Sequence, residues 1–348
     1  MPSRVLPKTR SVYRLLVTIT LIIVTLSSLL IGSIFYWKVL TPIESDAFAE
    51  ANKQMRYNLD MRIQSKEDSV VSIAQSIARQ KLLVDGLVNE DKGMLLQAIQ
   101  TIDTDFAKVT QYKNIRSQVI NAQGVIVARS WDASFGGVKA PHPLIQKVFK
   151  TLWAEAKFGA GEAGVGVVGF SPVMRHNEVV GLVSVTQGVG SIVRVMQADG
   201  IDWVMVVHQP SLVSRTQGKL PPAYKDCPLM KPDVLLAHSS HFTPSAVEFV
   251  KQYVVDRLSF DPKMAQAEVF VAEGRLVATY PIIDEAGLVI GQHILSQPAA
   301  PIQDKVAVAE AQMWLVGGSF FLVILLTMWM MVLLVRRLLT DPFSQVSQ

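Results

Sequence analysis

The sequence predicts an α+β protein: two antiparallel-sheet modules on a long N-terminal helix, flanked by two transmembrane helices. Three observations lead there. Two stretches carry no charge, Leu15 to Trp37 (23 residues) and Ala311 to Val335 (25 residues); each exceeds the roughly 20 residues that cross a hydrocarbon layer. Between them, short β-rich runs enclose helical patterns in an order that suits antiparallel sheets with helices packed on them. Finally, FSPVMRHNEVVG and TYPIIDEAGLVIG both run Pro, apolar pair, polar turn, apolar run, Gly.

The spans come first because they explain the composition. Half of the 348 residues are apolar and the mean hydropathy is +0.31, too high for an ordinary soluble protein. Only two stretches are long enough to span, which excludes a multi-pass transporter. We place the spans at 15–37 and 313–335. Residues 1–14 hold Arg4, Lys8, Arg10 and Arg14 and no acid, and Arg336 and Arg337 follow the second span. By the positive-inside rule both termini are cytoplasmic and residues 38–312 lie outside. Ala47-Phe48-Ala49 is a competing signal-peptidase pattern, but the apolar core is long for a signal and the site lies well beyond it. The anchor reading is favoured.

Of 33 basic and 29 acidic residues, those six basic residues and Asp341 lie outside the exported loop, leaving it 27 basic and 28 acidic. The pI near 9.0 therefore comes from the membrane flanks, and a nucleic-acid partner loses its main support. Cys227 is the only cysteine, so no internal disulfide can hold the exported part and a hydrophobic core must.

Residues 38–112 read as a helical stalk. From Thr41 to Leu83 there is no Gly and only Pro42, and Met55, Leu59, Ile63, Val70, Ile73 and Ile77 recur at helical spacing, with an interruption near Lys66 to Asp68. This helix either continues the first span or packs on its own domain, and both can hold. A second helix, Lys92 to Gln111, follows Asp91 as N-cap.

Residues 113–200 form the membrane-distal module. Val119-Ile120 and Val125-Ile126-Val127 flank Asn121-Ala122-Gln123-Gly124, a hairpin. Pro143 opens a helix with Leu144, Ile145, Val148, Phe149 and Leu152 on one face. Strands Val165–Met174 and Val179–Thr186 follow, joined through Arg175 to Glu178. Residues 201–300 form the membrane-proximal module: a strand at Trp203–Val207, a helix from Thr243-Pro244, strands Glu268–Ala272 and Arg275–Tyr280 around Glu273-Gly274, and a closing strand Leu288–Leu295. Ser211 to Ser240, with four prolines, reads as a long irregular insertion. The two closing hairpins, in matching helix-then-hairpin contexts, favour duplication over coincidence. Residues 301–312 connect to the second span.

INAQGVIVARSWDASFGG (Ile120 to Gly137), GVVGFSPV (Gly166 to Val173) and VVGLVSV (Val179 to Val185) together resemble a bacterial double Cache sensor. The resemblance covers residues 40 to 300. It implies two PAS-like (Cache) modules strung along one N-terminal helix, as in chemoreceptors, histidine kinases and cyclase-type regulators. One departure is that Ala122 and Gln123 stand where the family often carries an acid or Asn. VRRLLTDPFSQVSQ, residues 335–348, resembles the opening of a HAMP linker with Pro342 starting its first helix; a plain basic stop-transfer flank is the alternative. The output, of methyl-accepting, kinase or cyclase type, would then lie in a longer protein or a separate chain.

In PAS-like modules, pockets lie between the sheet and the segment crossing it. That segment here offers Arg129 to grip a carboxylate in bidentate fashion, Trp131 and Phe135 as walls, and Asp132 to hold an amine. The alternative pairs Arg129 with Asp132 or with a solvent-facing acid and makes Trp131 plain core. Ser171 and Ser184, on the closing strands, are weaker ligand contacts. His238, His241 and Cys227 could meet at a metal, but a structural zinc wants four convergent ligands at tighter spacing, so no metal and no cofactor is expected. Neither a P-loop, a nucleophile elbow, a His-Glu-x-x-His nor a Cys-x-x-Cys-His occurs. Asp103, Asp105 and Glu162 read as solvated acids, so the chain is not expected to be an enzyme. Gly317-Gly318-Ser319 could permit close helix approach in a homodimer. The expected function is a sensory receptor that binds a small solute outside and signals across the membrane. A membrane-anchored scaffold recognising a periplasmic protein is the alternative.

Overall fold

A computed structural model describes residues 6–109, 115–140, 142–161, 164–215, 218–284 and 287–340. Helix α1 (Leu6–Phe35) passes through a π-helical turn (Tyr36–Leu40) into α2 (Thr41–Ala78). Helix α3 (Lys81–Val88), not expected from the sequence, and α4 (Lys92–Val109) follow. The expected interruption of α2 near Lys66 is absent: Lys66 is buried, and its Nζ donates to Ser191 Oγ at 2.9 Å. A lysine at a core position breaks the apolar spacing without breaking the helix, because its ammonium finds a partner. Asp91 does cap α4, its Oδ1 accepting from Met94 N at 3.1 Å. Gln111, the expected end of that helix, lies outside the described residues.

The N-terminal module, labelled distal for its place in chain order as the C-terminal one is labelled proximal, contains β1 (Ile115–Asn121), β2 (Val125–Arg129), β3 (Val138–Lys139), α5 (Pro143–Thr151), β4 (Glu155–Gly161), β5 (Gly164–Arg175) and β6 (Glu178–Gly188). After α6 (Gly190–Ala198), the proximal module contains β7 (Asp202–His208), α7 (Gln209–Arg215), β8 (Leu229–Lys231), β9 (Val234–Leu236), α8 (Pro244–Tyr253), β10 (Glu268–Ala272), β11 (Arg275–Ile283) and β12 (Val289–Pro298). Helix α9 (Ala300–Thr340) ends the described chain. The expected irregular insertion is thus partly ordered: it holds α7, and its β8 and β9 extend the sheet. Pro143 and Pro244 both sit in the first turn of their helices, where the missing N–H costs nothing.

Both sheets have six strands and wholly antiparallel pairing, in the orders β3-β2-β1-β6-β5-β4 and β10-β11-β12-β7-β9-β8. Read from the β4 and β10 edges they correspond over four strands, β4-β5-β6-β1 and β10-β11-β12-β7, and differ beyond, where the last two come in opposite chain order, β2-β3 against β9-β8. In each, the first strand of the module pairs with the last, and the closing hairpin continues outward. The shared hairpin motif has a physical cause. Gly181 stands opposite Val173 and Gly291 opposite Ile282, one residue after Pro172 and Pro281, and the register shifts just beyond in both. A Cβ on Gly181 would lie 2.4 Å from Ile120 O, and one on Gly291 2.4 Å from Val206 O. The first strand of each module presses its carbonyl against the closing strand where only glycine fits.

The distal sheet separates two cores. Val119, Val167, Val183 and Val185 pack against Val70, Ile73, Ile77, Leu95 and Ile99 from α2 and α4. On the other face, Ile120, Ile126, Phe170 and Leu182 pack against Leu144, Ile145 and Val148 of α5.

By compactness the chain divides into two units, Met1–Ala51 with Ala299–Gln348, and Asn52–Pro298, the latter holding both sheets. Among the described residues two helices are long and apolar enough to cross a membrane, and neither apolar stretch is buried. A Cβ on Gly317 would lie 3.7 Å from Phe35 Cε1, so that glycine meets the chain's own first apolar helix, while Gly318 has open space around it. The HAMP-like residues from Asp341 onward, with Pro342, lie outside the described residues.

Candidate functional site

The site begins with the β1–β2 hairpin. Asn121 Oδ1 accepts from Gln123 N (3.1 Å) and Val125 N (2.9 Å), and Gly124 supplies the left-handed residue, φ +78°. Strand β2 therefore returns along β1, which brings Arg129 opposite Gln118. The chain then folds back over the sheet: Gly137 N donates to Ile126 O and Ala140 N to Gly124 O, both at 2.9 Å. Asp132 shapes this fold-back, its Oδ1 accepting from Ser134 N at 3.1 Å and Ser134 Oγ at 2.6 Å. Those bonds, above all the Ser134 hydroxyl, hold the Asp132 carboxyl below its ordinary range, so it stays anionic.

Arg129 Nε donates to Gln118 Oε1 at 3.2 Å. Its guanidinium lies 3.5 Å over the Phe135 ring and 5.4 Å from the centre of Trp131. Trp131 is 39 % exposed, so it is not core: it stands as a free wall, with the guanidinium of Arg116 on it at 5.8 Å.

Arg129, Trp131, Asp132 and Phe135 line one cavity of about 780 Å³ on the α5 side of the distal sheet. Ser171 and Ser184 do not line it. Alternation along β5 puts Ser171 on the α2 face with Val167 and Gly169, away from Val168 and Phe170, which line the cavity. Ser184 lies fully buried between Phe170 and Gln118 in the register, with no hydrogen-bond partner for its Oγ among the described residues.

Arg116 and Gln118 of β1, Lys157 of β4 and His142 before α5 also line the cavity. Arg116 was legible in principle, since it alternates with Gln118 and Ile120 on one face of a strand. The proximal module supplies a further wall that the sequence did not suggest: Pro221 to Ala223, His238, and Ile283 with Asp284 at the closing turn. His238, in the left-handed region at φ 50°, donates from Nε2 to Val165 O of β5. Burial lowers its pKa, so the bridging ring is neutral. His142 caps α5, its Nδ1 accepting from Leu144 N at 3.2 Å.

The remaining candidates lie elsewhere. His238 and His241 stack at 5.5 Å, and among the described residues no three His, Cys, Asp or Glu side chains converge as a metal group. Asp103 is not solvated as expected. It accepts from Ser117 Oγ (2.6 Å) and Ser117 N (3.3 Å), and burial raises its pKa. It is a buttress between α4 and β1. Asp105 is exposed, and Glu162 lies outside the described residues.

No family model and no curated protein matches the sequence. Among solved structures, the chain is similar to the ligand-binding domain of the Pseudomonas fluorescens chemoreceptor CtaA in complex with L-isoleucine: 13% identity, 76% of this chain, 98% of that one, TM-score 0.40. It is similar to the sensor domain of the Vibrio cholerae histidine kinase DctB, with 14% identity, 72% and 98% coverage and a TM-score of 0.39. A domain of a sensory box/GGDEF family protein of Vibrio parahaemolyticus gives 12% identity, 75% and 99% coverage and a TM-score of 0.41. The chain is thus similar in structure to sensor domains of chemoreceptors, histidine kinases and GGDEF-type proteins.

Proposed function

We propose that this chain is an inner-membrane sensory receptor whose periplasmic part binds a small carboxylate-bearing solute in the distal module. The observation that carries the reading is the cavity of about 780 Å³, a size usual for small-molecule sites, in which Arg129, Trp131, Asp132 and Phe135 converge. Gln118 and Phe135 hold the Arg129 guanidinium at the cavity wall, where a carboxylate can meet it. Trp131 and Phe135 form apolar walls, and Asp132 adds an anionic carboxylate beside them. An open cavity of this size supports solute binding over the scaffold reading, for which a collapsed one would be expected.

Signalling needs a ligand that binds two states with different affinity. The cavity wall includes Ile283 and Ile290 at the closing hairpin, and β12 of that hairpin is separated from α9 in sequence by Ala299 alone. Shifts of about 1 to 2 Å in packed elements suffice to bias a bistable output. We place both termini in the cytoplasm and the receptor in a homodimer, with the output in a further domain or a separate protein.

Isothermal titration calorimetry on the full chain in nanodiscs, with a panel of carboxylates, amino acids and amines, tests the reading. At least one carboxylate should bind, and Arg129→Ala should weaken it about tenfold or more. A panel without any binding carboxylate, or an Arg129→Ala protein that binds as before, refutes it.

A further inference from the structure

Two histidines of the proximal module reach into the distal one. His238 precedes and His241 closes the 3-10 turn Ser239–His241. His238 Nε2–H donates to Val165 O at the start of β5, and a Cβ on Gly164 would lie 3.0 Å from its Cε1. The His241 ring rests on the start of α6, where a Cβ on Gly190 would lie 3.2 Å from both its Cε1 and its Nε2. The two rings stack on each other, 5.5 Å apart and 25° from parallel. One pair of imidazoles thus touches the distal sheet and the helix that joins the modules, and His238 with Pro221 to Ala223 also walls the cavity.

The charges that act on this pair are positive. Arg116 of β1 acts on His238, and Arg194 of α6 acts on His241 as well as on Lys66 of α2. Asp226, an acid of the same insertion, acts on the Cys227 thiol. Neither imidazole makes an ion pair with a described residue. Burial, and after it the neighbouring charges, lower both pKa values, although the bond to Val165 works the other way on His238. The stack is therefore built from neutral rings.

We propose that His238 and His241 form an acid-sensitive latch between the two modules: neutral, they hold the insertion on β5 and α6, and protonated, they release it. The Val165 bond itself tolerates a proton, since Nε2 keeps its hydrogen. What fails is the stack, because a charge on either ring stands against the other imidazole and close to a guanidinium, in a site half removed from water. Released rings titrate near 6.5, as free imidazoles do, so the latch is closed above that pH and weakens below it. Each ring supplies up to about a tenfold rise in opening between pH 7.5 and 5.5. A receptor with this latch reads acidity outside as well as a solute. The latch needs no solute, so it stands or falls apart from the carboxylate reading.

Hydrogen exchange read by mass spectrometry on the full chain in nanodiscs, at pH 7.5 and 5.5 and corrected for the intrinsic pH dependence of amide exchange, tests it. Protection across residues 222–242 and at the start of β5 should fall at least about fivefold at pH 5.5, while the β1–β6 core keeps its protection. The local fall should persist in His293→Gln, which removes the buried imidazole of the proximal sheet. The double variant His238→Asn, His241→Gln keeps polar side chains without an ionisable ring, with asparagine where the backbone is left-handed. It should show no pH response in this segment. If it misfolds, His241→Gln alone decides, and its pH response must be smaller than that of wild type. Unchanged protection in the wild type, an equal fall in the non-titrating variant, or a fall spread evenly over both sheets overturns the latch.

Discussion

Replacing Gly291 with alanine should destabilise the two-sheet unit even though alanine normally helps. Alanine in place of a strand glycine reduces the entropy of the unfolded chain and stabilises by about 0.4–1 kcal/mol where space allows. Space does not allow it here. The new Cβ would sit 2.4 Å from Val206 O, about 1 Å inside ordinary van der Waals contact, and its neighbour is backbone in a paired strand. Relief requires β12 to move off β7, between which Gly291 pairs with Val207. Overpacking of this kind costs about 1–3 kcal/mol, which outweighs the entropic gain. For a domain of this size, 1 kcal/mol shifts Tm by roughly 2–4 °C. Gly291→Ala should therefore melt several degrees below wild type. Gly188→Ala is the control: no atom lies within 4 Å of its Cβ and its φ is not positive, so it should melt at or slightly above wild type. Thermal melts followed by tryptophan fluorescence suffice, since Trp203 is buried on β7. A Gly291→Ala protein as stable as Gly188→Ala would refute the close-approach account of the shared hairpin motif.

Stability should also fall on acidification. Burial drives the pKa of His293 down to about 3, while in the unfolded chain it is near 6.5. Below pH 6.5 the unfolded state therefore binds a proton that the fold excludes, and stability drops by roughly 1.4 kcal/mol per pH unit from about 6.5 towards 3. Urea melts at pH 7.5, 6.5 and 5.5 should show this slope, and His293→Gln should flatten it; an unchanged slope in that variant contradicts the assignment. Arg275 joins three strands through Asp202 Oδ2 (2.5 Å), Ser296 Oγ (3.1 Å) and Ser296 O (3.3 Å). Arg275→Met should cost about 1–3 kcal/mol by stranding the half-buried Asp202, and an unaltered denaturation midpoint would count against this network. Ligand binding supplies the remaining test, Arg129→Ala for the carboxylate.

The site was half legible. Arg129, Trp131, Asp132 and Phe135 follow one another closely after a recognisable hairpin, so local sequence was enough to group them. Arg116 lies thirteen positions before Arg129, and only the antiparallel β1–β2 pairing brings the two to one indole. His238 lies farther still, in a stretch whose prolines gave no periodicity to read. Ser171 and Ser184 show the opposite error. Both stand on cavity-forming strands, but strand alternation and burial depth, not strand membership, decide what a side chain reaches. Lys66 misled for a related reason: a charge at a core position looks like a helix break until its partner, Ser191, is known.

The sequence by itself determined the two long apolar stretches, the near-neutral loop between them, the α+β class and the repeated Pro-to-Gly hairpin, because these depend on composition and on periods of a few residues. The tertiary structure alone decided that both glycines of that repeat face a carbonyl, that Trp131 is a wall and not core, and that the second module helps to line the first module's cavity. These are contacts between residues tens to over a hundred positions apart, set by strand order and register, and no local pattern encodes them.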